Sequence, residues 1–278
     1  MELFRVIKSD ARYAMRFCGG RAVASVLIIF LAYLAISLTE SVLLFVFAGA
    51  DALYLDYSAF KNVPAEVLYI TGGSAVLYIF LMSVLGIGYT KLHFAFAEGR
   101  DESIVMLFDM FSSVKKFLGS VFFFIGYALR SLIILAIAVL PGGAFFWFAM
   151  EYIKPAGRTA EILQISAYCV AVIIMLLCLS LGLIFIQRWA LAEYYYISGK
   201  GIIKSFSLSA KATKGLCTLI IRFKISFFGW ALLSFLVLPA LWSIPYYNIA
   251  KAIFAKYLME RYERSLAEIP VEEPEIIA

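Results

Sequence analysis

At 278 residues, 64% hydrophobic and 15% charged, this chain is too apolar for a soluble domain, which is typically about 45–50% apolar and about 25% charged. Its net charge of +5 comes from cations gathered at the ends of apolar runs, so topology and anionic headgroups explain it and nucleic acid is not an expected partner. Four cysteines without metal-ligand spacing and a single histidine, His93, point to neither a disulfide framework nor a zinc site.

The N-terminus carries Arg5, Lys8, Arg12, Arg16 and Arg21 ahead of the first apolar run, Ala22–Ala48. Ala48-Gly49-Ala50 resembles a signal-peptidase site. The run is longer than a signal-peptide core of about 7–15 residues, which favours a retained first span. A loop with Asp51, Asp56, Lys61, Asn62 and Pro64 follows, and then a second span over 67–89 whose Gly72, Gly73, Gly86 and Gly88 permit close helix approach.

A charged segment then leads to a third run, 117–140, which contains Arg130 and is expected to stop at Pro141-Gly142-Gly143. Lys154 and Arg158 introduce a fourth span, 162–186. The stretch from Arg188 to Lys224 is the most basic of the chain. The last apolar region, Ile225–Tyr257, reads as one long span or as two short ones, 225–238 and 240–257, meeting at Pro239. Two are preferred, because they return Lys251, Lys256, Arg261 and Arg264 to the cationic side. Glu260 and Arg264 read as an i,i+4 salt bridge, and the tail after Glu268 as disordered.

Threaded this way, 20 of the 24 Lys and Arg residues fall on one side, which orients both termini to the cytoplasm. The expected architecture is all-α, a polytopic helical membrane protein. It has a basic N-terminus (1–21), a transmembrane domain (22–258) of about six spans of about 20 residues, and a cytoplasmic tail (259–278). Two interfacial amphipathic helices are expected near 101–116 and 200–215. In the first, Ile104, Leu107, Phe108, Phe111 and Val114 recur at helical spacing, with Asp101 or Ser103 able to cap its start. In the second, a turn of about 100° per residue gathers Lys200, Lys204, Lys211 and Lys214 on one arc and Ile203, Phe206, Ala210 and Thr213 on another. Lysines at the headgroups and an apolar face towards the acyl chains make this a candidate anionic-lipid site.

An internal echo accompanies these segments. Gly126 to Leu132 parallels Gly229 to Phe235, and Gly99 and Gly199 each introduce an amphipathic stretch. The unit span, interfacial helix, span would occur twice in parallel, as in some transporters.

Arg130 is the one cation inside a run, and an ionisable residue at depth is a functional candidate. Glu40 is its candidate counter-ion; a snorkelling arginine bound to lipid phosphate is the structural alternative. The sequence holds no H-E-x-x-H, no G-x-S-x-G and no Walker loop around Gly199-Lys200-Gly201, so no catalytic, cofactor or metal residue is assigned. Tyr194-Tyr195-Tyr196, Trp147, Trp189, Trp242, Tyr246 and Tyr247 read as an aromatic belt, and His93 as an interfacial residue.

Residues 85–258 resemble a family of uncharacterised bacterial integral-membrane proteins, domain of unknown function 975. The resemblance rests on Tyr196-Ile197, Gly201 to Ser205, Ser209, Lys214-Gly215, Ser226 to Trp230, and Trp242 to Pro245-Tyr246. Gly88-Tyr89 and Gly99 through Asp109 to Phe111 match it earlier in the chain. A proline that members often carry where Ser198-Gly199 stand is missing, and Leu238-Pro239-Ala240-Leu241 replaces a glycine-rich turn. Its signature would include Ser209, Lys214, Gly215, Gly229, Trp230, Pro245 and Tyr246. The resemblance implies a multi-pass protein of the bacterial plasma membrane, of Gram-positive type, and supplies no catalytic residues. The expectation is thus a non-enzymatic module engaging anionic lipids, another envelope protein or a second copy of itself, with a transporter or transporter subunit as the alternative.

Overall fold

In the computed structural model the chain is described over residues 2–49, 64–153 and 157–267. The loop holding Asp51, Asp56, Lys61 and Asn62, the outer Lys154, and the tail from Glu268 lie outside these residues. Among the described residues no strand occurs, and the all-α class holds.

Among the described residues, four helical stretches are long and apolar enough to cross a membrane: Glu2–Phe47, Ala65–Ala97, Val114–Tyr152 and Arg158–Ile197. They contain helices α1 (Glu2–Ala48), α2 (Ala65–Ala97), α3 (Val114–Tyr152) and α4 (Arg158–Ile186). Each covers one of the first four expected spans and overshoots it. The basic N-terminus is the beginning of α1, whose 47 residues measure about 70 Å against a hydrocarbon thickness of about 30 Å.

Helix α3 also runs through Pro141, where the sequence suggested a stop. Proline costs one hydrogen bond, but apolar surroundings offer the chain no better partners than the helix itself. Gly142, next to it, lets α3 approach α4: a Cβ there would collide with the backbone and Cβ of Met175.

The last apolar region divides differently from the expected pair meeting at Pro239. Ile225 ends α7 (Cys217–Ile225), and the rest forms α8 (Phe228–Leu233) and, after a turn at 234–236, α9 (Val237–Ala267), which runs past the region. Pro239 lies in the first turn of α9, where the missing N–H has no intrahelical partner to lose. The break therefore comes before it. Arg264 does pair with Glu260 four residues earlier, at 3.8 Å.

Two compact units emerge, residues 1–122 with 227–257, and residues 123–226 with 258–278. In the first, burial gathers where the early part of α1 meets the late part of α2 and the middle of α9. Ile7, Ala11, Cys18 and Ala22 are buried there, as are Val84, Leu92, Phe96, Ile249 and Phe254. The Tyr246 hydroxyl donates to the Lys8 carbonyl at 3.3 Å, and the Asn248 amide donates to the Tyr89 hydroxyl at 3.2 Å. Only 11% and 22% of the most apolar windows of α1 and α2 are buried, so the spans themselves are left to face lipid or a partner. His93 is a correction: it is buried, with Nδ1 2.9 Å from the Tyr89 carbonyl and its ring against Tyr89 and Phe96. Tyr194, Tyr195 and Tyr246 are likewise buried in their units, whereas Trp147 and Trp242 stay exposed as a belt requires.

Between α2 and α3 runs a short 3-10 helix, Ile104–Phe111. Ser103 caps it by accepting from the Val105 N–H at 3.4 Å. Of the four glycines expected to admit close packing on α2, only Gly88 has a near neighbour: a Cβ on it would run into the Leu107 backbone. Gly72, Gly73 and Gly86 have nothing within 4 Å. Asp109 ties the segment down, accepting from Lys91 at 2.5 Å and from Lys116 at 2.9 Å. Arg21 of α1 adds a pairing with Asp101 and a bond to the Glu102 carbonyl.

The Lys91 hydrogen bond holds the Asp109 carboxyl below its ordinary value of 3.8, Lys116 adds to the shift, and partial burial opposes it. Because the folded-state value is depressed, the stabilisation is complete above the unfolded value and vanishes as the pH falls through the folded one. Asp109→Asn should therefore lower the thermal unfolding midpoint at neutral pH, with the gap from the parent chain closing once the pH drops below 3.8. A gap that stays unchanged well below that acidity would refute the account.

The sequence echo of Gly99 and Gly199 has a local counterpart in the backbone. Helix α2 ends with Gly99 at φ 76°, its N–H bonded to the Phe96 carbonyl, and the Arg100 N–H bonded to that of Ala95. One hundred residues later, α5 (Ala192–Ile197) ends the same way: Gly199 at φ 82°, bonded to Tyr196, and Lys200 bonded to Tyr195. These are two copies of one Schellman ending. The following segments, the 3-10 helix of 8 residues and α6 (Ile202–Ala212) of 11 residues, differ by three in length. The next helices then start at Val114 and Cys217, displaced by 103. A tie between positions 18 apart recurs as well, Lys91 to Asp109 and the Leu191 N–H to Ser209.

Candidate functional site

Helix α6 carries Lys204 and Lys211 of the four lysines singled out by the sequence, with Lys200 just before it and Lys214 in the turn just after it. Gly201, at φ 64°, stands at its N-cap, and Gly215, at φ 75°, lies in the turn that ends it. That is a physical reason for a glycine after Lys214, since a side chain is strained at such a φ. Lys200, Lys204, Lys211 and Lys214 are all exposed. Ser205, Phe206, Ser209, Ala212 and Thr213 are buried, and at about 100° per residue they lie opposite the lysines.

The buried arc differs from the expected one. Ile203 is 80% exposed, on the flank of the lysine arc, and a row of hydroxyls has taken the inward place. Ser209 Oγ donates to the Arg188 carbonyl at 2.8 Å and accepts from the Leu191 N–H at 3.1 Å. Thr213 Oγ1 lies 3.0 Å from the same Arg188 carbonyl and 2.8 Å from that of Ser209. These bonds satisfy the backbone of the 3-10 turn Gln187–Trp189 that follows α4. Hydropathy alone ranks such residues as polar and turns them outward; the carbonyl they meet decides otherwise.

Phe206 is the apolar centre. Its ring stacks on Phe123 at 5.1 Å and meets Trp189 edge-on at 6.3 Å, and Phe123 stacks in turn on Tyr196 at 4.8 Å. The Arg130 guanidinium sits 4.2 Å over Phe206 and donates to the Gly126 carbonyl at 3.0 Å. Gly126 leaves room for it, since a Cβ there would lie 3.1 Å from Nη1.

Arg130 is thus half-buried, held by a carbonyl and a ring of its own unit, and no carboxylate pairs with it among the described residues. Its side chain reaches back towards the start of α3, the direction in which helical side chains lean. This is the geometry of a snorkelling arginine. Glu40 is half-buried on α1 of the other unit.

No family model, curated protein or solved structure matches this chain. The roles of the signature residues rest on geometry alone. Ser209 and Gly215 shape α6, and Lys214 is displayed by it. In the first unit, Pro245 is buried inside α9 beside Tyr246, whose ring meets Phe227 at 5.6 Å and Trp230 at 5.0 Å. Nothing in the structure explains Gly229. Phe123 and Trp189, which complete the cluster, carry no sequence signal beyond being aromatic, whereas Tyr196 is among the residues on which the resemblance rests.

Proposed function

We propose that this chain is a non-enzymatic, multi-pass protein of the bacterial plasma membrane, related to the family it resembles, that engages anionic phospholipid through α6. Both termini are cytoplasmic in this reading. The observation that carries it is the exposure of Lys204 and Lys211 opposite the face by which α6 is docked, with Lys200 and Lys214 exposed at its two ends. A helix so held presents its charges without freedom to turn them away. Near an anionic surface each lysine contributes roughly 1 kcal/mol, and the attraction is screened by salt within about 8–10 Å.

The test is competitive retention of lipid. The detergent-solubilised full chain is offered equal amounts of phosphatidylglycerol and phosphatidylcholine, and bound lipid is counted by native mass spectrometry. Replacing all four lysines by glutamine is expected to abolish the phosphatidylglycerol preference. A preference that survives the replacement rules out α6 as its source.

The repeated Schellman endings favour a second reading, a transporter or transporter subunit, because such proteins often duplicate a span-and-linker unit. That reading requires water beside Arg130. A thiol at Ala128→Cys or Ser131→Cys that resists a water-soluble reagent in sealed vesicles would remove it.

A further inference from the structure

A 3-10 helix has three residues per turn, so its side chains fall into three straight rows. In Ile104–Phe111 the first row, Ile104, Leu107 and Met110, turns inward, with Leu107 and Met110 fully packed. The second, Met106 and Asp109, is half-buried and carries the tie to Lys91 and Lys116. The third, Val105, Phe108 and Phe111, is apolar and points outward, with Val105 68% and Phe108 44% exposed.

That outward row does not stand alone. Phe108 meets Phe111 at 6.3 Å, Phe111 meets Phe117 of α3 at 5.9 Å, and Phe117 stacks on Phe80 of α2 at 6.2 Å. Phe80 belongs to the exposed apolar surface of a helix fit to cross a membrane, and Val114 and Leu118 extend the same exposure along α3. All of these residues belong to the first unit. The chain of rings therefore makes the outward row continuous with the surface that hydrocarbon covers.

We infer that the 3-10 helix inserts Val105, Phe108 and Phe111 among the acyl chains of the nearer leaflet, as an apolar wedge beside the headgroups. The ties of the segment fit this occupant. Asp109 engages the two nearest ammonium groups, Lys91 and Lys116, so the wedge needs no anionic lipid to hold it. The two halves of the repeat have then diverged: the first inserts rings, the second displays lysines. A polar or charged partner is a poor match for three apolar side chains in a row, and a single-leaflet wedge is the occupant that continues the α2 and α3 surface. The inference is independent of the lysine reading of α6 and stands or falls separately.

The experiment is a depth measurement on the full chain in phosphatidylcholine vesicles, with its four native cysteines replaced by serine. A nitroxide is attached at Phe108→Cys and its collisions with oxygen, which concentrates in hydrocarbon, are compared with those of a water-soluble nickel chelate. References are Leu77→Cys on α2 and Lys204→Cys on α6. Oxygen collisions should outnumber nickel collisions at 108 as they do at 77, with no change in high salt. A ratio like that at 204 places the row in water and overturns the inference. Exclusion of both reagents shows a protein cover and overturns it equally. If the label at 108 prevents folding, Val105→Cys, on the same row, gives the same reading.

Discussion

Replacement of Phe206 by alanine is expected to cost about 3–5 kcal/mol of stability, the range for emptying a packed aromatic site. The ring is nearly fully buried and joins α6 to α3, to the turn after α4 and, through Phe123, to α5. Its loss also leaves the Arg130 guanidinium with the Gly126 carbonyl as its one described contact. Thermal unfolding in detergent should show a clear fall in midpoint. Phe206→Leu, which keeps most of the volume but no ring face, should lie between. If leucine restores full stability, packing alone explains Phe206 and the cation–π contact contributes nothing. A parent-like midpoint for the alanine variant would refute the placement of α6.

The second large effect is expected at Gly88. Valine there must displace the Leu107 backbone, which cannot swing aside as a side-chain tip can. Overpacking of this kind costs typically about 1–3 kcal/mol and occasionally more. The 3-10 helix should lift from α2, break the Lys91–Asp109 tie, and expose the following turn to limited proteolysis. Gly86→Ala is the internal control, two residues away on the same helix with open space around it. That change should be neutral or mildly stabilising, since alanine favours helix over glycine by about 1 kcal/mol. Equal behaviour of the two variants would mean that the 3-10 helix does not rest on Gly88.

The first four expected spans, but not the last two, were legible because about 20 apolar residues in a row admit few other readings. Lys204 and Lys211 share an exposed side of α6 because helical rotation is regular. The i,i+4 pair Glu260–Arg264 was legible for the same reason. What could not be read was set by partners distant in sequence. Ser209 turns inward because the Arg188 carbonyl, more than 20 residues away, needs a donor; Thr213, expected on the inward arc, is buried beside it. His93 is buried because α2 is covered at that level by packing that its local sequence does not announce. Pro141 and Pro239 misled for different reasons, since proline is least disruptive where it removes no bond and is tolerated where no alternative to the helix is better. At the first turn of α9 there is no bond to remove, and within α3 the apolar surroundings make continuing the helix the least costly course. Arg130 stood out in the sequence as the one cation inside an apolar run. Its partner proved to be a ring, a class of contact that charge counting does not search.

The two linking segments of the repeat differ by three residues and by winding, 8 residues in a 3-10 helix and 11 in an α-helix. At about 2.0 Å per residue the first extends about 16 Å, and at about 1.5 Å per residue the second extends about 16 Å. Tighter or looser coiling has thus absorbed the difference, leaving the distance bridged unchanged. A protein built so can gain or lose most of a helical turn in a linker without moving its flanking helices, and residue count and reach become separately adjustable. What changes with the count is the rotation: which side chains point at the membrane, and how many rows there are to choose from.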